Sequence, residues 1–469
     1  MKNIVRYLFI IICIIICILP FAGMAVHPTN ETTENRIMSV FPDFRNENGG
    51  ININFMQELG TYFNDHFAFR LALVSADAEI QSNLFGVSNA DSVIAGDNGW
   101  LYYASTTDDY LGKNTMTERG IKNIAHNLQL LQEYAESNGA KFIFTVPPNK
   151  NTLYGQDMPY YLKQKVSNVK NIGMLKSEMQ TYNISYCDLF SLFQNQKEVL
   201  YLKRDSHWNN KGAVLAYHAM LDQAGIRHDD YKGVRAIRTK TEYGDLGRML
   251  YPVGAEPDWN YYYEKEHAFS YVTDTESVED AWIETENRQG TGKLLMFRDS
   301  FGNTLLPLMA DTFSEGYFSK GVPQNVAGYM NSYHPDVVIL EKVERNIKEL
   351  TTDPPLVEGA VIDLGKAIET TDSETSIEIK ECENNSSYLE VSGNLDQSLC
   401  SKNTEIYIMV SGRKKQDFYK ALYVSDQASD YGYKLYLLKE DVPAGELSFD
   451  VVIEKDGQLR SVKSLTYRK

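Results

Sequence analysis

Between Thr117 and Leu340 short apolar runs alternate with helical patterns, and that alternation leaves few folds open. Thr117 and Glu118 open a helix in which Ile121, Ile124, Ala125, Leu128, Leu131 and Ala135 hold one face, and Asn138-Gly139 closes it. Strands are predicted at Phe142–Val146, Ile184–Asp188, Lys293–Phe297 and Asp336–Leu340, with further helices at about Asn210–Gln223 and Asn303–Asp311. Strands separated by helices pair in parallel, so the expected fold is α/β, a parallel sheet flanked by helices. Such sheets place their sites beyond the carboxyl ends of the strands, where Asn149, Lys150 and Ser300 fall.

At 469 residues the chain exceeds what one core usually serves. The first thirty residues hold a basic tip, Lys2 and Arg6, and an apolar run from Tyr7 to Val26. As a helix that run rises roughly 30 Å, enough to cross a bilayer with the body of the protein outside the cytoplasm. A single-pass anchor in the cell membrane is expected; Ala22-Gly23-Met24-Ala25 leaves open cleavage and secretion. Residues 31–350 would form the α/β domain, interrupted at about 226–292 by an aromatic-rich insertion with Tyr251, Trp259, Tyr261, Tyr262 and Tyr263. That insertion reads equally as an ordinary hairpin or as a sugar-stacking rim. Asp353-Pro354-Pro355 marks a linker over 351–375, and short alternating strands over 376–469 predict a β-sandwich. Asp97-Asn98-Gly99 between apolar runs predicts a hairpin.

The net charge of -17 argues against a nucleic-acid partner. No cysteine set has metal-ligand spacing, and neither a metal nor a cofactor is indicated; Cys382 and Cys400 are close enough in sequence to pair, without forming a framework.

Two stretches carry chemistry. Leu294-Leu295-Met296-Phe297-Arg298-Asp299-Ser300-Phe301-Gly302-Asn303 reads as a buried strand breaking sharply into a helix, which lifts a serine clear of the sheet. Arg204-Asp205-Ser206-His207-Trp208 supplies a carboxylate and an imidazole two residues apart. A hydroxyl is a poor nucleophile at neutral pH, so acyl transfer needs a base in reach and a third group fixing that base's tautomer. Ser300, His207 and Asp205 suit these roles. The N–H groups of Ser300 and Gly302 lie at a helix start suited to an oxyanion, and Asn149 or Asn303 could add a side-chain donor. By default, an Asp-Ser before a helix is an N-cap, and Glu341 with Arg345 is a structural ion pair.

The run Asp205-Ser206-His207-Trp208-Asn209-Asn210-Lys211-Gly212-Ala213 resembles the Asp-His-His-Trp signature of the DHHW family, related to the alginate O-acetylation proteins AlgJ and AlgX. Similar too are Glu34-Asn35-Arg36, Asn64 to Arg70, Gly99 to Tyr102, Pro148-Asn149-Lys150 with Tyr154, Gly244-Asp245-Leu246, Asp299-Ser300-Phe301 and Glu344-Arg345. The resemblance implies an SGNH-hydrolase-like fold, with the Asp-x-His block before the serine. It also implies a polysaccharide O-acetyltransferase or acetylesterase acting through an acetyl-serine, supplied by a membrane-bound acyltransferase. Lys150, Tyr154 and Arg345 join the residues expected near substrate. Ser206 replaces the signature's first histidine. The rival expectation is an anchored, non-catalytic scaffold that guides polymer, with Ser300 only capping a helix.

Overall fold

The computed structural model describes residues 2–30, 32, 37–46, 48–364, 368–371, 373–412, 415–455 and 457–469. The Glu34-Asn35-Arg36 motif lies outside the described residues.

The described residues build a seven-stranded sheet in the order Tyr186–Cys187, Lys141–Thr145, Val337–Glu341, Lys293–Phe297, Glu315–Ser319, Trp282–Glu286, Ser270–Tyr271. The first five strands run parallel, and the last two add an antiparallel edge. The sheet is thus mixed where an all-parallel one was expected. The end of the aromatic-rich insertion folds back as a sheet strand, and Glu315–Ser319 was not singled out from sequence. With Gly316 and Ser319 among its five residues, that segment lacks the continuous apolar run that marked its neighbours.

Strand Lys293–Phe297 lies centrally, and Leu294 to Phe297 are buried on both faces. Leu295 and Phe297 pack toward the helices Glu118–Ser137 and Val326–Tyr333, while Leu294 and Met296 face Asn210–Ala224 and Gly302–Ala310. Burial on both faces explains why these strands read as unbroken apolar runs. The predicted hairpin is present, with Val93–Ala95 antiparallel to Leu101–Tyr103.

The C-terminal strands form a six-stranded and a four-stranded sheet enclosing Val391, Ile408, Tyr433 and Phe449. Val361–Ile362 and Ile368–Thr370, in the stretch read as a linker, add edge strands to the larger layer. This region docks on a second, polar face of the Glu118–Ser137 helix. His126 stacks on Tyr423 with ring centroids 3.7 Å apart, its Nε2 lies 2.9 Å from the Ala421 carbonyl, and Asn127 donates to the Tyr423 carbonyl at 2.8 Å. Burial pushes the His126 imidazole down to about 4. Cys382 and Cys400 are both free thiols.

Helix Lys2–Met24 contains a span, Ile4–Met24, long and apolar enough to cross a membrane, and none of its most apolar residues is buried. His66 has a structural place beside it, its Nδ1 2.8 Å from the Thr29 carbonyl and its Nε2 2.9 Å from that of Ser39.

Candidate active site

The strand ending at Phe297 delivers Ser300 to the carboxyl edge of the sheet through a tight turn. Asp299 anchors that turn: its Oδ2 accepts from the Val343 N–H at 2.8 Å, its Oδ1 from the Phe301 N–H at 2.9 Å, and its own N–H donates to Glu341 Oε2 at 2.9 Å. Glycine is required at 302, because a Cβ there would meet Arg298 Cβ at 2.5 Å.

The Asp205–His207 loop approaches from a different quarter of the chain. His207 Nε2 lies 2.8 Å from Ser300 Oγ, and Nδ1 lies 2.7 Å from Asp205 Oδ1, which also accepts from the His207 backbone N–H at 2.8 Å. The hydroxyl, imidazole and carboxylate are each partly exposed. Trp208, buried, presses its ring edge-on to Phe301 at 5.0 Å, and the His207 ring meets Phe301 at 4.8 Å, so Phe301 supports both sides of the encounter.

Burial opposes charge on both members of the Asp205–His207 pair, but their mutual attraction and hydrogen bonds prevail. The Asp205 carboxyl is held well below the usual carboxylate range and His207 is raised above the ordinary imidazole. A second carboxylate stands behind. Asp245 accepts from the Ser206 N–H at 2.8 Å and hydroxyl at 2.5 Å, its N–H donates to Asp205 Oδ2 at 3.0 Å, and its Oδ2 lies 3.9 Å from His207 Nδ1. Burial, then the charge of Asp205, pushes the Asp245 carboxyl up. Gly244 allows this approach, since a Cβ there would lie 2.3 Å from the Arg204 carbonyl oxygen. Ser206 thus uses the position of the signature's first histidine to bind Asp245. Sequence reasoning left Asp245 out of the site; it sits in a six-residue helix, Asp245–Leu250, too short to show a periodic pattern.

Donor atoms of Asp205, His207 and Asp245 all lie within 4.8 Å of one another, which by spacing alone suits a cation. The hydrogen bonds just described already engage both carboxylates and both ring nitrogens.

The other expected residues divide. Gly302 does not offer its N–H to a ligand: it donates to the Asp299 carbonyl at 3.2 Å, because the turn closes on itself before the helix begins. Asn303 is tied to Arg298 and Glu279, both at 2.5 Å. Asn149 is wholly buried and donates to Asp109 Oδ2 at 3.2 Å. Lys150 spends its ammonium on three carbonyls, those of Leu202 at 3.1 Å, Lys203 at 3.0 Å and Asp205, and so pins the loop rather than facing a ligand; burial pushes it down to about 8. The Tyr154 hydroxyl accepts from the Leu200 N–H at 2.9 Å. Arg345 remains available. Its guanidinium lies over the rings of Tyr103 at 5.4 Å and Phe301 at 5.8 Å, and among the described residues it has no hydrogen bond or ion pair, with Glu341 or otherwise. The Ser300 N–H likewise has no acceptor among them.

The aromatic insertion buttresses the loop. Ala236–Glu242 pairs with Asp258–Tyr263; Asp258 accepts from the Arg204 N–H at 2.5 Å, and Asn260 from the Asn210 N–H at 2.9 Å. Tyr261 and Trp259 are capped by Lys211 at 4.3 Å and Arg238 at 4.5 Å.

Residues 93–287 match the family model described as the SGNH hydrolase-like domain of the acetyltransferase AlgX. Over that segment the chain matches an SGNH hydrolase-like domain. The matched segment of this SGNH-like domain holds Asp205 and His207 and ends before Ser300, which the central strand beyond it supplies. Among solved structures the chain is similar to a DHHW family protein from Eubacterium siraeum, at 17% identity over 48% of this chain and 85% of that one, with a TM-score of 0.39. PatB1 of Bacillus cereus is similar at 16% identity over 54% and 96%, TM-score 0.44. The O-acetyltransferase domain of Pseudomonas putida AlgJ is similar at 16% over 55% and 92%, TM-score 0.37. No curated protein matches the sequence.

Proposed function

We propose that the protein is an exported, membrane-anchored O-acetyltransferase acting on hydroxyl groups of a cell-surface or secreted polysaccharide, with Ser300 as nucleophile, His207 as base and Asp205 as its orienting acid. The observation that carries this reading is the unbroken hydrogen-bond chain from Asp205 Oδ1 through the imidazole to Ser300 Oγ, at 2.7 and 2.8 Å. A helix-capping serine has no need of an imidazole, so the chain favours an enzyme over a scaffold.

In the proposed cycle Ser300 Oγ bonds to the acetyl carbonyl carbon while its proton passes to His207 Nε2. Asp205 holds Nδ1–H and balances the imidazolium. The tetrahedral oxyanion meets the Ser300 N–H, with the Arg345 guanidinium as the nearby unengaged positive charge. The leaving group departs with the proton, which leaves acetyl-serine. A sugar hydroxyl then gives its proton to Nε2 as its oxygen attacks, and that proton returns to Ser300 Oγ when the acyl bond breaks. Water in place of the sugar makes the same site an acetylesterase. The donor would be a membrane-bound acyltransferase that passes acetyl groups outward, reached by way of the apolar N-terminal helix.

The test is partitioning. With an aryl acetate as donor, added polysaccharide hydroxyls should divert acetyl from water to sugar, and Ser300→Ala should remove both fates; release of aryl alcohol that the alanine variant sustains at the wild-type rate excludes this assignment.

A further inference from the structure

Large exposed apolar side chains are distributed unevenly. Among the described residues beyond the N-terminal helix, twelve lie between Ile37 and Phe85, against thirteen in all the chain that follows Phe85. Concentration of this kind marks a surface that water does not normally cover.

The helix Arg70–Ile80 and the turns that extend it to Phe85 show how the surface is built. One face carries Arg70, Ser75 and Ala78, all buried: Ser75 Oγ accepts from the Val253 N–H at 2.8 Å, and Ala78 packs with Leu246 and Met249. Phe69, Leu73, Ala76, Ile80 and Leu84 recur at steps of three and four residues on the opposite face, and every one is exposed. A soluble helix would place charge there. At Phe69 the backbone is left-handed (φ 64), a region bulky residues rarely adopt, and yet the residue is 57% exposed.

The stripe begins where the apolar N-terminal helix ends. A Cβ at Gly23 would lie 2.7 Å from Ala68 Cβ and 3.8 Å from the Phe69 ring, the Ala68 N–H donates to the Pro20 carbonyl at 3.1 Å, and Phe21 meets Phe63 at 5.6 Å. The two apolar surfaces are continuous. From Phe69 to Leu84 the stripe extends for roughly 22 Å at helical rise.

We propose that this face lies in the outer interfacial layer of the bilayer, so that the protein rests on the lipid surface along the Phe69–Leu84 stripe as well as crossing it. The occupant is lipid, because the stripe prolongs a helix whose own partner is lipid and because aromatic and aliphatic side chains without charge suit the acyl–headgroup boundary. The arrangement holds the SGNH-like domain in one orientation above the membrane. It rests on the reading of the N-terminal helix as a retained anchor and not on the chemistry of Ser300.

The full-length protein, with Cys13, Cys17 and Cys400 replaced by serine, would be reconstituted in phosphatidylethanolamine–phosphatidylglycerol liposomes and labelled with a fluorophore at Ile80→Cys or, as reference, at exposed Asp230→Cys. Flotation reports the anchor, and quenching by brominated lipid reports the contact. The proposal expects flotation and quenching at position 80 at least about threefold stronger than at 230. Flotation with equal quenching at both positions and free access of iodide to position 80 overturns it. Shielding of position 80 from lipid and iodide alike means that protein, for instance a second copy, covers the stripe, and also overturns it. Failure to float removes the anchor and this proposal together, while the Ser300→Ala assay stays intact as a separate test.

Discussion

His207 Nε2 and Ser300 Oγ are ninety-three positions apart in sequence and 2.8 Å apart in space. Two independent devices hold that distance. On one side Lys150 gathers the carbonyls of Leu202, Lys203 and Asp205; on the other Asp299 fastens the serine turn to the Val343 N–H. The rings of Phe301 and Trp208 fill the space between.

If Asp205 selects the tautomer that leaves Nε2 free to accept a proton, Asp205→Asn should lower turnover by about four orders of magnitude, and it should also lower stability, because the carboxylate that accepts the His207 and Asp245 N–H groups is lost. Stopped-flow hydrolysis of an aryl acetate, beside thermal unfolding, measures both. A loss below about tenfold would assign the base a different partner.

The acid limb of the pH–rate profile should lie above that of a free imidazole, because a base must be neutral and Asp205 keeps His207 charged to higher pH. Asp245, 3.9 Å from Nδ1, acts in the same direction. In Asp245→Asn the limb should therefore move to lower pH. A profile unchanged by that substitution shows that Asp245 only positions the loop.

Lys150→Met removes the ammonium from a buried site and leaves three carbonyls without their donor. It should cost roughly 3 kcal/mol or more of stability and should lower kcat more than it raises KM, since the loop carries the base and not the substrate. Urea denaturation and steady-state kinetics separate the two effects.

Burial pushes the Glu344 carboxyl up to about 7, against hydrogen bonds from Thr152 and the Asn149 N–H. A folded value above the ordinary one of 4.5 means that this group's contribution is complete below about 4.5 and is lost as the pH rises through about 7. In Glu344→Gln the stability profile should be flatter over that window than in wild type. Parallel slopes would show that Glu344 stays ionised throughout.

The parallel core was legible because Leu294 to Phe297 and Val337 to Leu340 are buried on both faces and read as continuous apolar runs. Glu315–Ser319 was not, since a strand interrupted by glycine and ended by serine resembles a turn. Ser300, His207 and Asp205 could be named from their motifs, but no motif reveals which N–H a turn consumes. Gly302 therefore looked available when its N–H was already donated to Asp299. Arg345 looked like half of an ion pair; instead Glu341 is taken up by the Asp299 N–H and leaves the guanidinium beside Phe301. The polar face of the Glu118–Ser137 helix made sense only once the C-terminal sheets covered it.

The central claim concerns one oxygen atom, and intact-mass analysis after brief exposure to an activated acetyl ester addresses it directly. The account predicts one added acetyl group on the wild-type chain, localised to Ser300 by peptide mapping, persistent in His207→Ala only if acylation is forced by excess donor, and absent from Ser300→Ala. An acetyl adduct that forms equally in Ser300→Ala, or maps to another residue in the wild type, contradicts it.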